Sequence, residues 1–574
     1  MKLEINGVTV EAREGATILE ACRENGIRIP TLCHMPGLPP SGACRLCVVE
    51  VEGRPNLVAS CAFPASEGMK VRTNSPRVRR ARRTVLQLLL ANHEQECASC
   101  IRNGNRELQK LAREAGVRDV PYTGERRRAN KDVSSPSIVR EPEKCILCGR
   151  CVRVCEEIQA VGAIDFTRRG FSTLVLPAFD DGLNVTECVN CGQCVMACPT
   201  GALHERTSIA EVWRAIEDPE KVVVFQHAPA ISVSIGEEFG IMGRSDLTGL
   251  IAAAFRRLGA DYVFDTSFSA DLTIMEETHE LVERIKAGGP FPLFTSCSPG
   301  WVKFVEHKFP EFLPNVSSCK SPQQMMGALV KTFFAERLGV EPSRIYSVSV
   351  MPCTAKKFEA ARPEFSRGGL YDIDAVLTTR EAAQMIREAG LDPATLPSEE
   401  CDDPFGKRTS AGKIFGATGG VAEAALRTAH WMVTGRPAGK LEVGAVRGLE
   451  GVKTFTATID GLEVKTAVAS GLANAARLLK RIKAGEAFFH FVEVMACPGG
   501  CVAGGGQPYS DDPEAVKKRM NALYNIDGHS TLRQSHENPQ VQRLYAEFLG
   551  EPGGKLSHEL LHTTYTPRRA TVGA

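Results

Sequence analysis

The 574-residue chain predicts a multidomain protein, α+β in its first part and α/β in its second. Three observations carry that expectation. The length exceeds one ordinary domain. Most of the 21 cysteines fall in CxxC-type clusters. From Val222 onward, apolar strands alternate with amphipathic helices. A hydrophobic fraction of 43% with 69 Lys+Arg against 68 Asp+Glu describes a globular chain with no global pull on nucleic acid. No run of about 18 apolar residues predicts membrane insertion. The start, Met1-Lys-Leu-Glu-Ile-Asn-Gly-Val, reads as a strand rather than a signal peptide, so a cytoplasmic location is expected. Clustered thiols in such a chain point to metal binding rather than a disulfide scaffold.

Residues 1–80 read as the small β-rich domain. Leu3-Glu-Ile and Val8-Thr-Val-Glu flank Asn6-Gly7, a hairpin signal, and residues 16–25 read as a helix ending at Gly26. The spacing Cys33-x10-Cys44-x2-Cys47-x13-Cys61 resembles plant-type 2Fe–2S ferredoxins, which implies a β-grasp fold around one 2Fe–2S cluster. A four-cysteine zinc ribbon is the competing reading, although a ribbon normally pairs two CxxC knuckles. Cys22 lacks metal spacing and reads as a core thiol.

A basic helix at 77–90 leads into the segment 81–132, which carries His93-x3-Cys97-x2-Cys100. This resembles the 4Fe–4S segment, with one histidine and three cysteine ligands, of FeFe-hydrogenases and of the electron-carrying subunit of complex I. In those families the last ligand is a cysteine six residues on, where this chain has Arg106. A permanent cation cannot replace a thiolate, so occupation of a His93, Cys97, Cys100 cluster stays open. The arginine-rich stretches at 77–83 and 124–131 fit either a docking patch for an acidic carrier or a solvated surface.

Residues 133–210 carry Cys145-x2-Cys148-x2-Cys151-x3-Cys155 and Cys188-x2-Cys191-x2-Cys194-x3-Cys198-Pro199. This is the bacterial two-cluster ferredoxin pattern, in which the fourth cysteine of each run ligates the other cluster. Cys145, Cys148, Cys151 and Cys198 are thus expected at one 4Fe–4S cluster. Cys155, Cys188, Cys191 and Cys194 are expected at its neighbour.

Residues 211–510 form the α/β half. Ile345-Tyr-Ser-Val-Ser-Val-Met351 reads as a strand before a turn, and 380–389 as a helix. Three cysteine turns stand out: Thr295-Ser-Cys-Ser-Pro-Gly-Trp301, Met351-Pro-Cys-Thr-Ala-Lys-Lys357 and Glu493-Val-Met-Ala-Cys-Pro-Gly-Gly-Cys501. Cys297 and Cys353 follow strands, where α/β folds carry their chemistry. Cys497 and Cys501 would share one side if helical.

These turns, with Phe415-Gly-Ala-Thr-Gly-Gly-Val421 and Gly504-Gly-Gly-Gln-Pro508, resemble the H-cluster domain of FeFe-hydrogenases. Residues 511–574, through Ser535-His-Glu-Asn-Pro539 and His558-Glu-Leu-Leu-His-Thr-Thr-Tyr565, resemble the family's small-subunit segment. The resemblance implies the reaction 2H⁺ + 2e⁻ ⇌ H₂ at an H-cluster. That cofactor is a 4Fe–4S cube joined through a cysteine sulfur to a diiron unit with CO, cyanide and azadithiolate. It implies Cys353 and Cys497 on the cube, Cys501 as the bridge and Lys356 on a cyanide. Met351, Met495, Pro229 and Gln323 would line the pocket, with Ala230 where many relatives have serine.

For protons, Glu277, Glu280 and Arg284 share one face of a helix expected at 271–286. Alone they read as a solvated ion-pair face. The resemblance makes them, with Ser317, a relay ending at Cys297. Relatives have a second cysteine, the cube's fourth ligand, where this chain has Ser298. Oxygen ligation by Ser298, recruitment of Cys297, and a weakened cluster are all compatible with that. No GxGxxG follows a strand, so NAD(P) chemistry would need partner subunits. The partners implied are ferredoxin or another low-potential carrier, NAD(P)-binding and ferredoxin-like subunits, and maturation proteins. An H₂-sensing or electron-transfer subunit with impaired catalysis is the alternative.

Overall fold

The computed structural model describes residues 1–241, 246–436 and 447–569. The first domain is a five-stranded mixed sheet in the order Val8–Glu11, Lys2–Ile5, Lys70–Arg72, Val48–Val51, Val58–Ala59. Asn6 and Gly7 both take positive φ (52° and 85°), as a two-residue turn between twisted strands requires. The helix starts at Ile18, two residues later than expected, because Thr17 and Glu20 close a capping box in front of it. Its apolar face packs Ile18 and Leu19 onto Leu3, Ile5, Val49 and Val71, with Cys22 buried among them.

The helices Pro76–Ala91 and Glu107–Glu114 follow. An antiparallel pair, Ile138–Arg140 with Leu203–Glu205, then brackets the two four-cysteine runs. Each run turns through a left-handed glycine, Gly149 (φ 73°) and Gly192 (φ 71°), into a one-turn helix.

Two four-stranded sheets build the α/β half. The first is parallel throughout, in the order Tyr262–Asp265, Val222–His227, Ile345–Met351, Ala375–Thr378. The second runs Leu293–Phe294, Phe491–Met495, Leu462–Ser470, Val452–Ile459, with only the last strand antiparallel. The helix expected at 271–286 is longer, Thr266–Ala287. Asp265 ends a strand and at once caps the helix through Ser267 N (2.8 Å), so no loop intervenes. Its N-terminal turns are buried, which rules out the fully solvated face its charges suggest in isolation.

The C-terminal segment wraps that helix. Asp271 accepts hydrogen bonds from Thr409, Ser535 and Asn538, so Ser535-His-Glu-Asn-Pro539 anchors on a buried carboxylate. Glu276 accepts from Tyr545, Ser557, the Gly553 amide and His562.

Candidate active site

Four loops meet at one cavity, and each leaves the carboxyl end of a parallel strand. Pro229 follows Val222–His227, Cys297 and Ser298 follow Leu293–Phe294, Cys353 follows Ile345–Met351, and Cys497 and Cys501 follow Phe491–Met495. Parallel strands from two sheets thus converge where α/β folds place ligands. Met351 and Met495, each the last residue of its strand, supply polarizable apolar wall, and Gln323 and Lys356 supply polar lining. Ala230 is fully buried against Ala417 and Leu523 instead of among the lining residues.

Cys497 and Cys501 are not one helical turn apart. Gly499 (φ +100°) and Gly500 (φ +89°) reverse the chain between them. A Cβ on Gly500 would stand 2.7 Å from Thr418 N, so this turn packs on the backbone of the 415–421 motif only because position 500 lacks a side chain.

Lys356 is 8% exposed, and its Nζ donates to Glu359 Oε2 (2.8 Å). The same oxygen accepts from Ser321 (2.9 Å) and Gln323 (3.1 Å), while Gln323 Oε1 accepts from Ser349 (2.9 Å). The cation is therefore held in place and keeps two donors beyond this pair. Ser298 precedes the Pro299–Lys308 helix and its Oγ accepts from Ala496 N (3.3 Å). Burial raises the thiol pKa of Cys353, with the Lys356 charge opposing, and lifts Cys501 to about 12. Three thiols lining one cavity suit soft metal coordination, which would supply the positive charge that makes thiolates favourable there; the Ser298 hydroxyl among them is a harder donor.

The relay cysteines fall into separate groups. Cys33, Cys44, Cys47 and Cys61 are all buried, and Cys44 N donates to Cys33 Sγ (3.5 Å). Cys145, Cys148, Cys151 and Cys198 line one cavity, which joins the fourth cysteine of the second run to three of the first. Cys155 and Cys188 pack beside Val161 and Val189, and Cys194 interacts electrostatically with both. Among the described residues no three His, Cys, Asp or Glu side chains converge as they would around a single ion. Cys145, Cys148, Cys151 and Cys198 instead surround a space, the arrangement a polynuclear cluster needs.

Cys191 lines the active-site cavity as well, so the second cluster site abuts it. The contact depends on paired glycines: a Cβ on Gly505 would lie 2.5 Å from Cys191 O and 2.7 Å from Gly192 Cα. Gly505→Ala should lower stability by about 1–3 kcal/mol through overpacking, which a denaturant midpoint at unchanged m-value would register.

The His93 site is different. His93 Nδ1 donates to Lys144 O (2.9 Å), and Nε2 accepts from Arg106 Nη1 (3.1 Å). Arg106 Nη1 also lies 3.9 Å from Cys97 Sγ. Burial and then the Arg106 charge push the His93 pKa down to about 4. Cys100 accepts from Arg102 N (3.4 Å). The donors for a closed 4Fe–4S site are incomplete here, and a guanidinium stands among those that remain.

Of the proton-route residues, Ser317 Oγ donates to Glu280 Oε2 (2.8 Å) and Arg284 Nη2 to Glu280 Oε1 (2.7 Å). Glu277 lies one helical turn inward, 1% exposed, and neither carboxyl oxygen makes a close hydrogen bond, although the Ser317 hydroxyl and the Ser296 backbone are near it. Burial, then the Glu280 charge, pushes its pKa up to about 8; Ser317 and the Ser296 backbone oppose that rise. Burial, then Glu277, holds the Cys297 thiol well above its ordinary pKa, so it stays protonated.

Two carboxylates escaped the sequence reading. Glu359 pairs with Lys356 at i, i+3 on one short helix, a spacing visible in the sequence. Glu493 sits in the apolar strand Phe491–Met495 and accepts from Gly419 N (2.6 Å) and Ala422 N (2.8 Å), fastening the glycine motif. Its signal was a lone acid in an otherwise apolar strand.

The comparisons agree along the whole chain. Residues 221–505 match the family model for the iron-only hydrogenase large subunit, C-terminal domain, and 513–568 that for the iron hydrogenase small subunit. Residues 1–76 match a 2Fe–2S cluster binding domain, 82–121 the NADH-ubiquinone oxidoreductase-G iron–sulfur binding region, and 144–202 a 4Fe–4S dicluster domain. The NADP-reducing hydrogenase subunit HndD of Solidesulfovibrio fructosivorans is 50% identical, covering 99% of both chains. Iron hydrogenase 1 of Clostridium pasteurianum is 42% identical over 98% of this chain and 99% of its own. Among solved structures, a variant of FeFe-hydrogenase HydA1 from Chlamydomonas reinhardtii superimposes with a TM-score of 0.58 at 42% identity, covering 63% of this chain and 99% of that one. Half its residues identical to a hydrogenase subunit from end to end, and its cysteine turns gathered on one cavity, the chain belongs to the iron-only hydrogenase family.

Proposed function

We propose that this chain catalyses 2H⁺ + 2e⁻ ⇌ H₂ as an FeFe-hydrogenase. The observation that carries the reading is the cavity where Cys297, Cys353, Cys497, Cys501, Lys356, Met351 and Met495 meet at the end of the cysteine relay. When bound, the H-cluster, a 4Fe–4S cube with a diiron unit bearing CO, cyanide and azadithiolate, supplies the redox chemistry. Cys353, Cys497 and Cys501 would hold it, with the Ser298 position beside them. Lys356, oriented by Glu359, would donate toward one of its anionic ligands. Pro229 and Gln323 complete the wall and keep water out.

The relay comprises one 2Fe–2S cluster on Cys33, Cys44, Cys47 and Cys61 and two 4Fe–4S clusters on the eight thiols between Cys145 and Cys198. Glu280, held by Arg284 near the surface, takes up protons, Ser317 passes them inward, and Glu277 delivers them to Cys297, the terminal acid. A carboxyl with pKa near 8 holds its proton at neutral pH and can still release it. The chain divides at 1–80, 81–132, 133–210, 211–510 and 511–574. Likeness to an NADP-reducing hydrogenase subunit supports a catalytic subunit of a cytoplasmic multisubunit complex, with NAD(P)-binding and ferredoxin-like partners supplying the carrier.

The test is to mature the purified chain with the diiron cofactor. H₂ evolution from a reduced low-potential dye, with CO and cyanide infrared bands, is expected. Bands without H₂ evolution would favour the sensing alternative, and the absence of both signals would sink the hydrogenase reading and leave an electron-transfer subunit. Glu277 gives a second check. Its folded pKa, near 8, exceeds its unfolded value, so its contribution to stability is full below the unfolded pKa of about 4.3 and is lost as pH rises from there to about 8. Glu277→Gln removes that loss, so its Tm advantage over the wild type should grow from about pH 5 to about pH 8.

A further inference from the structure

Arg106 takes the place of the fourth ligand at the His93 site and also disables the first. His93 Nδ1–H is committed to the Lys144 carbonyl at 2.9 Å, which leaves the lone pair on Nε2, the atom a metal would bind. That lone pair accepts from Arg106 Nη1 at 3.1 Å. The same nitrogen sits 3.9 Å from Cys97 Sγ, so one guanidinium spans two donors that a cube would need on separate irons. Arg106 is 3% exposed, and its Nε and Nη2 find no acceptor. It cannot shed its proton, and among the described residues its head group contacts no acceptor other than His93 Nε2 and Cys97 Sγ. Even with the arginine displaced, one iron would lack a protein ligand.

The remaining thiol is engaged elsewhere. Cys100 accepts from Arg102 N (3.4 Å), and Arg102 Nη1 donates to the Cys198 carbonyl (3.1 Å) beside the cavity of Cys145, Cys148 and Cys151. Arg102 also lies 3.4 Å over the Tyr509 ring. The segment is therefore tied to the dicluster domain by arginines. Its apolar side chains also bridge the two flanking modules: Leu86, Leu108 and Leu111 join Cys33 and Cys44 to Ile146 and Cys148 in one cluster.

We infer that Arg106 closes the His93 site to a 4Fe–4S cluster, making the 82–121 segment a bracket, with electrons entering from the 2Fe–2S domain directly to the Cys148 cube. The entry half rests on the proposed function; the cluster inventory does not.

The experiment is iron and sulfide counting with EPR spin quantitation on the full-length chain, made anaerobically as wild type, Arg106→Cys, His93→Ala and the double variant. Arg106→Cys should gain the four irons of one cube over wild type and a new EPR signal, and the double variant should lose or shift that signal. His93→Ala alone should leave wild-type iron and the reduction rate of the remaining clusters by dithionite unchanged. Wild type already carrying the extra cube, removable by His93→Ala, would overturn the proposal. An Arg106→Cys chain that gains no iron would overturn the assignment to Arg106. These counts do not need the diiron unit, so they stand apart from any failure of H₂ evolution.

Discussion

Cys297→Ala should lower H₂ evolution by about 100- to 10,000-fold, the range for loss of a positioned general acid, while the CO and cyanide infrared bands persist. The expectation follows from where Cys297 lies. It packs beside Met495 and Phe415 in the cluster that faces the Thr266–Ala287 helix, on the side of Glu277. Glu277, Ser317 and Glu280 lead from there to Arg284, so removing the thiol removes the inner terminus of the route and leaves the rest intact. Activity within tenfold of wild type would sink the relay. Loss of the infrared bands would show that Cys297 helps to hold metal, the recruitment outcome that Ser298 leaves open in the sequence.

Ser298→Cys carries the second large effect. A thiol ionises near pH 8.5 and is a soft ligand, whereas an aliphatic hydroxyl is hard and deprotonates far less readily. Removing a group that only orients a ligand lowers metal affinity about 10- to 100-fold, and exchanging the ligand atom should do at least as much. The cube in the Ser298→Cys chain should therefore survive a chelator at least about ten times longer, with altered EPR and redox midpoint. The Ala496 amide that now donates to Ser298 Oγ at 3.3 Å is already positioned to donate to a sulfur. Unchanged stripping and spectra would show that position 298 does not touch the cube.

The sequence revealed what depends on neighbours along the chain. The two four-cysteine runs, the Asn6-Gly7 hairpin and the strand-then-cysteine turns are local patterns, and the structure folds each where the pattern put it. Convergence was beyond reach from residues alone. That Pro229, Ser298, Cys353 and Cys497 share a wall depends on two sheets offering strand ends to one point. The family resemblance, not periodicity, supplied that grouping. Arg106 marks the same boundary from the other side. Its identity showed a missing ligand, but only its side-chain path showed the His93 lone pair already taken. The 497–501 spacing misled because a helical reading ignores what two consecutive positive-φ glycines do to direction.

The C-terminal segment has a consequence of a different kind. The family model it matches is named for a small subunit, yet here it is continuous with the catalytic half. Its contacts, through Asp271 and Glu276, fall on the helix that carries Glu277 and Glu280. Joined by the short stretch between 505 and 513, it meets that helix at an effective concentration of roughly millimolar, whatever the concentration of the protein. Assembly of the proton-bearing helix is thereby a first-order event, insensitive to dilution, where a separate subunit would dissociate by mass action.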